Sequence, residues 1–80
     1  MVPMANKHIL KALGEEIRQR RSALQLSQEK LADGASLHRN VIGRLERGTY
    51  NPTVMTLLSI AAEFDIPLAE LIGSAERRMR

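Results

Sequence analysis

Apolar residues recur at helical spacing through most of the chain, and no segment alternates in the manner of a strand. The first helix is predicted to start near Lys7 with Asn6 as its N-cap, after a flexible arm of residues 1–6. Gly14 lies inside this helix, where it costs about 1 kcal/mol against alanine but leaves room for a neighbouring helix. The apolar stripe comprises Ile9 or Leu10, Leu13, Ile17 and Leu24.

Two short helical patterns follow, separated by a break at residues 34–36. Ser27 is the expected N-cap of the second helix, and the third helix runs from near Leu37 or His38 to a cap at Gly48. Small or apolar residues stand where these two helices would cross, at Ala32, Leu37, Ile42 and Leu45. The remaining surface of the third helix carries Arg39, Asn40, Gly43, Arg44 and Arg47. A helix pair with a donor-rich outer face suits entry into a DNA major groove.

Two further helices complete the prediction. Thr53 caps the fourth, and the fifth begins at Pro67 and stops at Gly73. Residues 74–80 are expected to form a short, frayed basic tail. The buried positions of these helices are Val54, Leu57, Ile60, Ala61, Phe64, Leu68, Leu71 and Ile72. The chain is therefore predicted to hold one all-α domain over residues 7–73, between the arm and the tail.

Composition narrows the chemistry open to this domain. Its core must be aliphatic, because Tyr50 and Phe64 are the only aromatic residues among 80. The absence of cysteine excludes disulfides, thiolate metal sites and cysteine nucleophiles, and it fits a cytoplasmic location. No apolar run approaches the roughly 20 residues of a membrane span, and the N-terminus lacks the apolar region of a secretion signal.

The polar residues indicate neither an enzyme nor a cofactor site. No nucleophile–base pair or phosphate-binding loop is present, and Glu15 and Glu16 are expected to be ordinary helix-surface charges. His8 and His38 lack an acidic cluster beside them, so no metal site is predicted. We therefore expect no catalytic residues, no metal and no cofactor.

The positive charge is concentrated in the half of the chain that holds the helix pair. Residues 1–47 contain nine lysines and arginines against five acids, whereas residues 48–80 contain three against four. A localised basic surface is the expected electrostatic footprint of phosphate binding, although most charged faces are simply solvated. Within the first helix, Arg20 is expected to be solvated and Arg21 to point inward.

Three segments carry a resemblance to a known family: LGEEIRQRRSALQLSQEKLA, HRNVIGRLERG and NPTVMTLLSIAAEFDIPLAELI. From about residue 13 to residue 72 the chain resembles the Cro/cI-type, or XRE-like, helix-turn-helix regulators. The matching motif positions are Gln28, Ala32, Ile42 and Leu45. The resemblance implies a compact five-helix bundle of the lambda-repressor-like DNA-binding type, with the helix-turn-helix at helices 2 and 3. The segment LHRNVIGRLERG is also similar to small restriction–modification controller proteins.

Three residues depart from the family pattern. Ser36 replaces the usual turn glycine, Gln25 stands where a helix-ending glycine is common, and His38 replaces the usual serine or threonine cap. These departures concern the geometry of the turns rather than the fold.

The resemblance also implies roles for individual residues. Arg21 and Glu46 match a structural ion pair between the first and third helices. The DNA base contacts expected are Arg39, Asn40, Gly43 and Arg44. The phosphate contacts expected are Gln28, His38, Arg47, Tyr50 and Asn51. From the residues alone, Gln28 and His38 fit a plain surface position as well as a phosphate contact.

The function expected from these features is sequence-specific binding of double-stranded DNA by a transcriptional regulator. Because one small domain covers a short site, we expect a homodimer on a palindromic operator. Its interface is expected near the fifth helix, at residues such as Met55, Leu58 or Ile72. The alternative is an antitoxin-like or adaptor module whose main partner is a protein, which an acidic or apolar outer face on the third helix would favour.

Overall fold

A computed structural model describes the backbone of residues 3–79 and the side chains of residues 8–79. This part of the chain contains five helices and no strand: α1 (Pro3–Ala23), α2 (Gln28–Gly34), α3 (Arg39–Glu46), α4 (Val54–Glu63) and α5 (Leu68–Arg78). The all-α class and the five-helix order are thus as predicted. Over these residues, no helix combines the length and the apolar character that crossing a bilayer requires.

The core is aliphatic apart from Phe64, and it lies where α1 meets α3 and α5 and where α2 meets α3. Six large side chains are almost completely buried there, namely Ile17, Leu31, Ile42, Leu45, Ile60 and Leu71. Burying each such side chain stabilises the fold by about 1.5–3 kcal/mol. Every helix contributes at least one of them, and α3 itself packs against α1 and α2.

Gly14 allows α1 and α3 to touch backbone to backbone. A Cβ atom at this position would lie 2.2 Å from the carbonyl oxygen of Leu45 and 2.8 Å from that of Glu46. Both atoms belong to the backbone, so neither can move aside without displacing α3. The expected close approach of a neighbouring helix at Gly14 is confirmed, and the neighbour is α3.

Side chains cap three of the helices at their N-termini, as the sequence predicts. Ser27 Oγ accepts a hydrogen bond from the amide of Lys30 at 3.0 Å, and Thr53 Oγ1 accepts one from the amide of Thr56 at 3.1 Å. His38 is the N-cap of α3, although it is a less common residue there than serine or threonine. These caps determine where α2, α3 and α4 begin.

Four helix C-termini are followed by a residue in the left-handed region. Gly48 has φ +74°, but the other three positions are held by Gln25, Ser36 and Asp65, with φ of 58°, 58° and 57°. After each helix, the next two amides bond back to carbonyls of its last turn, in the pattern of a Schellman motif. Ser36 therefore adopts the backbone conformation for which glycine is usual in this turn.

The predicted limits of the first and last helices were wrong. α1 begins at Pro3, so residues 3–6 are helical rather than an arm, and Met1 and Val2 lie outside the described residues. Proline suits the first turn of a helix, because its missing N–H would have no helical partner there. At the other end, α5 continues through Gly73 to Arg78, with Ala75 fully buried. The free energy gained by burying that turn against the core outweighs the cost of a glycine inside the helix.

Two residues that the helical period placed in the core are exposed. Leu24 is 52% exposed and Val54 is 64% exposed. Leu24 follows the last residue of α1, where the chain has already begun to turn, and Val54 occupies the first position of α4. Periodicity indicates which side of a helix faces inward, but it does not indicate where the neighbouring helices end.

Glu16 and Arg20 are not the plain surface charges that the sequence suggested. Glu16 is buried, and it accepts hydrogen bonds from Arg20 Nε at 2.6 Å and Arg78 Nε at 2.8 Å. Arg20 also donates to Ser74 Oγ at 3.1 Å. Burial by itself would raise the pKa of Glu16, but the bonds from Arg78 and Arg20 outweigh it and the pKa lies below its ordinary value. This network joins α1 to the last two turns of α5.

Candidate nucleic-acid interface

α2 and α3 form a helix-turn-helix in which a tight turn at residues 35–38 joins two short helices. Ala32 is completely buried where the helices pack together, and Ile42 and Leu45 hold the inner side of α3 in the core. The start of α2 and the outer side of α3 enclose an open groove of about 810 Å³. It is lined by Arg21, Ser27, Gln28, Glu29, Arg39, Asn40, Gly43, Arg44 and Arg47.

The groove brings together all four residues expected to contact bases. Arg39, Asn40 and Arg44 have exposed side chains on the side of α3 that faces away from the core. Gly43 lies between them, and a Cβ atom there would be 3.3 Å from Arg47 Nη1 and 3.6 Å from Gln28 Oε1. Gly43 itself is buried, because the ends of the Arg47 and Gln28 side chains cover its backbone.

The residues expected to contact phosphates are divided between the groove and its surroundings. Gln28 and Arg47 line the groove, whereas His38, Tyr50 and Asn51 do not. His38 Nδ1 accepts a hydrogen bond from the amide of Asn40 at 3.3 Å. In a neutral imidazole the proton then resides on Nε2, which is left to donate to another group.

A largely buried ion pair lies behind the groove. Arg21 Nε donates to Glu46 Oε2 at 2.6 Å, and Arg21 Nη2 donates to Glu46 Oε1 at 3.0 Å. The hydrogen bond with Glu46 raises the pKa of Arg21 above its ordinary value. Gln28 Nε2 also donates to Glu46 Oε1, at 3.0 Å. The first residue of α2 is thereby tied to the last residue of α3.

The side chains that line the groove carry a net positive charge. Among the described side chains, Arg39, Arg44 and Arg47 have no carboxylate within ion-pair distance. Glu46 is matched by Arg21, which leaves Glu29 as the opposing charge along the groove. The outer face of α3 is thus neither acidic nor apolar, so it lacks the feature that would have favoured a protein-binding module.

Comparison with known proteins agrees with this geometry. The helix-turn-helix family matches residues 17–71, which include all of α2, α3 and α4. The chain belongs to the helix-turn-helix family. Within it, the chain is of the XRE type that the resemblance in the sequence implied. Helix α3 is accordingly the second helix of the family's motif, the position that is called the recognition helix.

Individual members of the helix-turn-helix family are similar over most of the chain. Control protein C.SmaI of Serratia marcescens is 38% identical over 64 residues, which cover 80% of this chain and 76% of that protein. The immunity repressor of Bacillus phage phi105 is 33% identical over 61 residues, 76% of this chain, and the chain spans only 42% of its length. The restriction–modification controller C.AhdI of Aeromonas hydrophila has 39% identity and a TM-score of 0.75, covering 78% of this chain and 94% of that one.

From its family and these relatives, we conclude that the chain is a DNA-binding transcriptional regulator rather than an enzyme.

Sequence reasoning found the groove residues but missed two contacts around them. One is the hydrogen bond from Gln28 to Glu46, and the other is the packing of the Arg44 guanidinium over the Tyr50 ring. Neither pair has a helical spacing, so only the folded chain brings its members together.

Proposed function

We propose that this regulator binds a palindromic operator as a homodimer, with α3 in the major groove of double-stranded DNA. The observation that carries the proposal is the open, positively charged groove between the start of α2 and the outer side of α3. Because a transcriptional regulator must reach DNA, we include a cytoplasmic location in the same proposal.

The base contacts follow from the donors that α3 presents. Arg39 and Arg44 each carry a guanidinium that can donate two hydrogen bonds to O6 and N7 of guanine, and the Asn40 amide can pair with N6 and N7 of adenine. Each such contact is worth about 1–3 kcal/mol of discrimination against the wrong base. Gly43 adds no side chain, so the helix backbone can come close to the base edges when the Arg47 and Gln28 side chains that cover it turn toward the DNA.

The phosphate contacts orient the domain on the duplex. Arg47 supplies a charge at the end of α3, and Gln28 stands at the first turn of α2, where free amides favour an anion. His38 Nε2, Tyr50 and Asn51 supply further donors around the groove. Contacts of this kind set the position of α3 without reading the sequence themselves.

A second copy of the chain is the proposed partner of an apolar surface on α4. Val54, Met55 and Leu58 are 64%, 69% and 43% exposed, and their spacing places them along one side of the helix. Ile72, by contrast, is partly buried against the core and has less surface to offer. A symmetric pair would place two copies of α3 in successive major grooves, about 34 Å apart.

The base contacts can be tested by selecting binding sites from a random pool of duplex DNA. We expect an inverted repeat, and Arg39→Ala should relax the preference at one base pair in each half. Arg47→Ala should instead weaken all sequences to a similar extent and lower the slope of log affinity against log salt by about one. Arg18→Ala, an exposed arginine outside the groove, is the matched control and should change neither. If the selected duplexes have no sequence in common, the proposal is contradicted.

The homodimer can be tested separately by sedimentation. We expect Met55→Asp and Leu58→Asp to shift the protein from dimer to monomer, because a buried charge at an apolar interface is unfavourable. The monomeric variants should bind a single half-site about as well as the wild type, but they should lose the added affinity for the full palindrome. A wild-type protein that is monomeric and binds its site without cooperativity would contradict this part of the proposal.

A further inference from the structure

Arg44 has an aromatic neighbour that helical spacing does not predict. Its Cζ atom lies 5.1 Å from the centroid of the Tyr50 ring, which is within the range of a cation–π interaction. The two residues are six positions apart, and they meet because the chain reverses direction at the end of α3. Tyr50 is the only tyrosine in the chain.

The segment that carries the ring is joined to the backbone of Arg44 by hydrogen bonds. Gly48, with φ +74°, turns the chain back, and its amide bonds to the carbonyl of Leu45 at 3.0 Å. The amide and the hydroxyl of Thr49 then donate to the carbonyl of Arg44, at 3.0 Å and 3.2 Å. Tyr50 follows directly and packs, half-buried, against the core. The ring is therefore held at a defined place beside the Arg44 side chain.

We propose that Tyr50 is a positioning residue that restricts the Arg44 side chain before DNA binds and so sharpens the base preference at the position Arg44 reads. This inference rests on the function proposed above. A free arginine loses rotamer freedom when it is fixed, and prior restriction reduces what remains to be lost on binding. An arginine that stacks on an aromatic ring uses the face of its guanidinium, and the N–H donors, which lie in the plane, stay available to a guanine.

Two substitutions at position 50 distinguish the contribution of the aromatic ring from that of its hydroxyl. Tyr50→Phe keeps the ring, so the preference for the correct base over the other three should remain at the Arg44 position. A phosphate contact from the hydroxyl would appear as an equal loss for all sequences. Tyr50→Leu removes the ring but keeps an apolar side chain, and it should reduce that preference about two- to five-fold, the equivalent of a cation–π interaction at an exposed site. The preference at the Arg39 position should not change.

Arg44→Ala identifies the base pair concerned and distinguishes the possible failures. Adding Tyr50→Leu to Arg44→Ala should cause no further loss of base preference, because the ring then has nothing to position. Wild-type protein without any base preference would overturn the proposed function itself. A clear effect of Arg44→Ala without a selective effect of Tyr50→Leu would overturn only the role of Tyr50.

The remaining outcomes also decide the question. An equal loss of base preference in Tyr50→Phe and Tyr50→Leu would assign the effect to the hydroxyl and overturn the proposal. Tighter or more selective binding by Tyr50→Leu would mean that the ring holds Arg44 away from DNA. If Tyr50→Leu does not fold, NMR of the free wild-type protein decides instead. Upfield ring-current shifts of the Arg44 side-chain protons support the proposal, and their absence overturns it.

Discussion

Arg21 and Glu46 connect the first helix to the recognition helix by two hydrogen bonds, of 2.6 Å and 3.0 Å. Arg21 Nη1 also donates to the carbonyl of Leu26 at 2.8 Å, so the same side chain holds the turn before α2. Glu46 in turn accepts a bond from Gln28 at the start of α2. One largely buried pair thus positions α1, the start of α2 and the end of α3 against each other.

Breaking this pair should destabilise the protein strongly. The Arg21 and Glu46 side chains are only 14% and 4% exposed, so the removal of one leaves the other charge buried without its partner. We expect Arg21→Ala and Glu46→Ala each to lower the free energy of unfolding by about 3–5 kcal/mol in urea denaturation. The apolar double variant Arg21→Met with Glu46→Leu should lose less than either single variant. A loss below about 1 kcal/mol in Glu46→Ala would contradict the structural role.

Glu16 should make the stability of the protein depend on acid pH. Its folded-state pKa lies below the ordinary value of 4.5, so the unfolded chain binds the proton more readily than the folded one. The carboxylate therefore stabilises the fold fully above that ordinary pKa, and this contribution is lost as the pH falls through the lower, folded-state pKa. Glu16→Gln should lower the free energy of unfolding at neutral pH by about 1–3 kcal/mol and flatten its decline in acid.

The matched control for Glu16 is its neighbour Glu15. Glu15 is exposed on the same helix, so Glu15→Gln should leave both the stability at neutral pH and its acid dependence unchanged. Denaturation series at several pH values measure both variants. The same acid profile in Glu16→Gln and the wild type would show that Glu16 is not the group responsible.

Two glycine-to-alanine substitutions in helices should have opposite consequences. In Gly14→Ala the new methyl group would lie 2.2 Å from a backbone oxygen of α3, so the helices must separate. We expect a loss of at least about 1–3 kcal/mol, as for other overpacked sites. In Gly34→Ala the nearest atom is Oε1 of Glu63, the end of a flexible side chain that can turn away. That variant should be neutral or gain up to about 1 kcal/mol in thermal or urea denaturation.

Glycine should be preferred at the three left-handed positions that lack it. Gln25, Ser36 and Asp65 have φ near 58°, where a side chain costs about 1–2 kcal/mol. Substitution by glycine relieves this cost, although the unfolded chain becomes more flexible, so we expect each variant to gain about 0.5–1 kcal/mol. Gly48→Ala should lose more than this, because its Cβ atom would also lie 3.1 Å from the Cα atom of Lys11 in α1. Urea denaturation measures all four, and a loss of stability in Ser36→Gly would contradict the prediction.

Gly43→Ala should affect stability and DNA binding in different directions. The added methyl group would meet only the ends of the Arg47 and Gln28 side chains, so the fold is retained and the helix gains up to about 1 kcal/mol. The same methyl group lies on the surface that we propose to face the bases, so affinity for the selected operator should fall. Parallel measurement of unfolding and of operator binding tests both halves, and undiminished binding would argue against close approach at Gly43.

The sequence contained enough information for the helices and for their order. The helical period identified the buried side of α3 through Ile42 and Leu45, and the caps at Ser27 and Thr53 were recognised because a hydroxyl needs only a nearby amide. The same reasoning failed at Leu24, because the period continues past the residue at which the chain turns. It also failed at Gly73, because a glycine marks a helix end only where no burial compensates for it.

The outer face of α3 could likewise be predicted, since residues on one helix share a side by spacing alone. The sequence by itself therefore determined the helical class, the five helices and the donor-rich surface of the recognition helix. Only the tertiary structure decided that Glu16 is buried between two arginines, that Glu46 holds Gln28, and that Tyr50 lies against Arg44. The physical reason is that such contacts join residues from different elements. They depend on how helices pack and where loops return, which no local pattern of residues specifies.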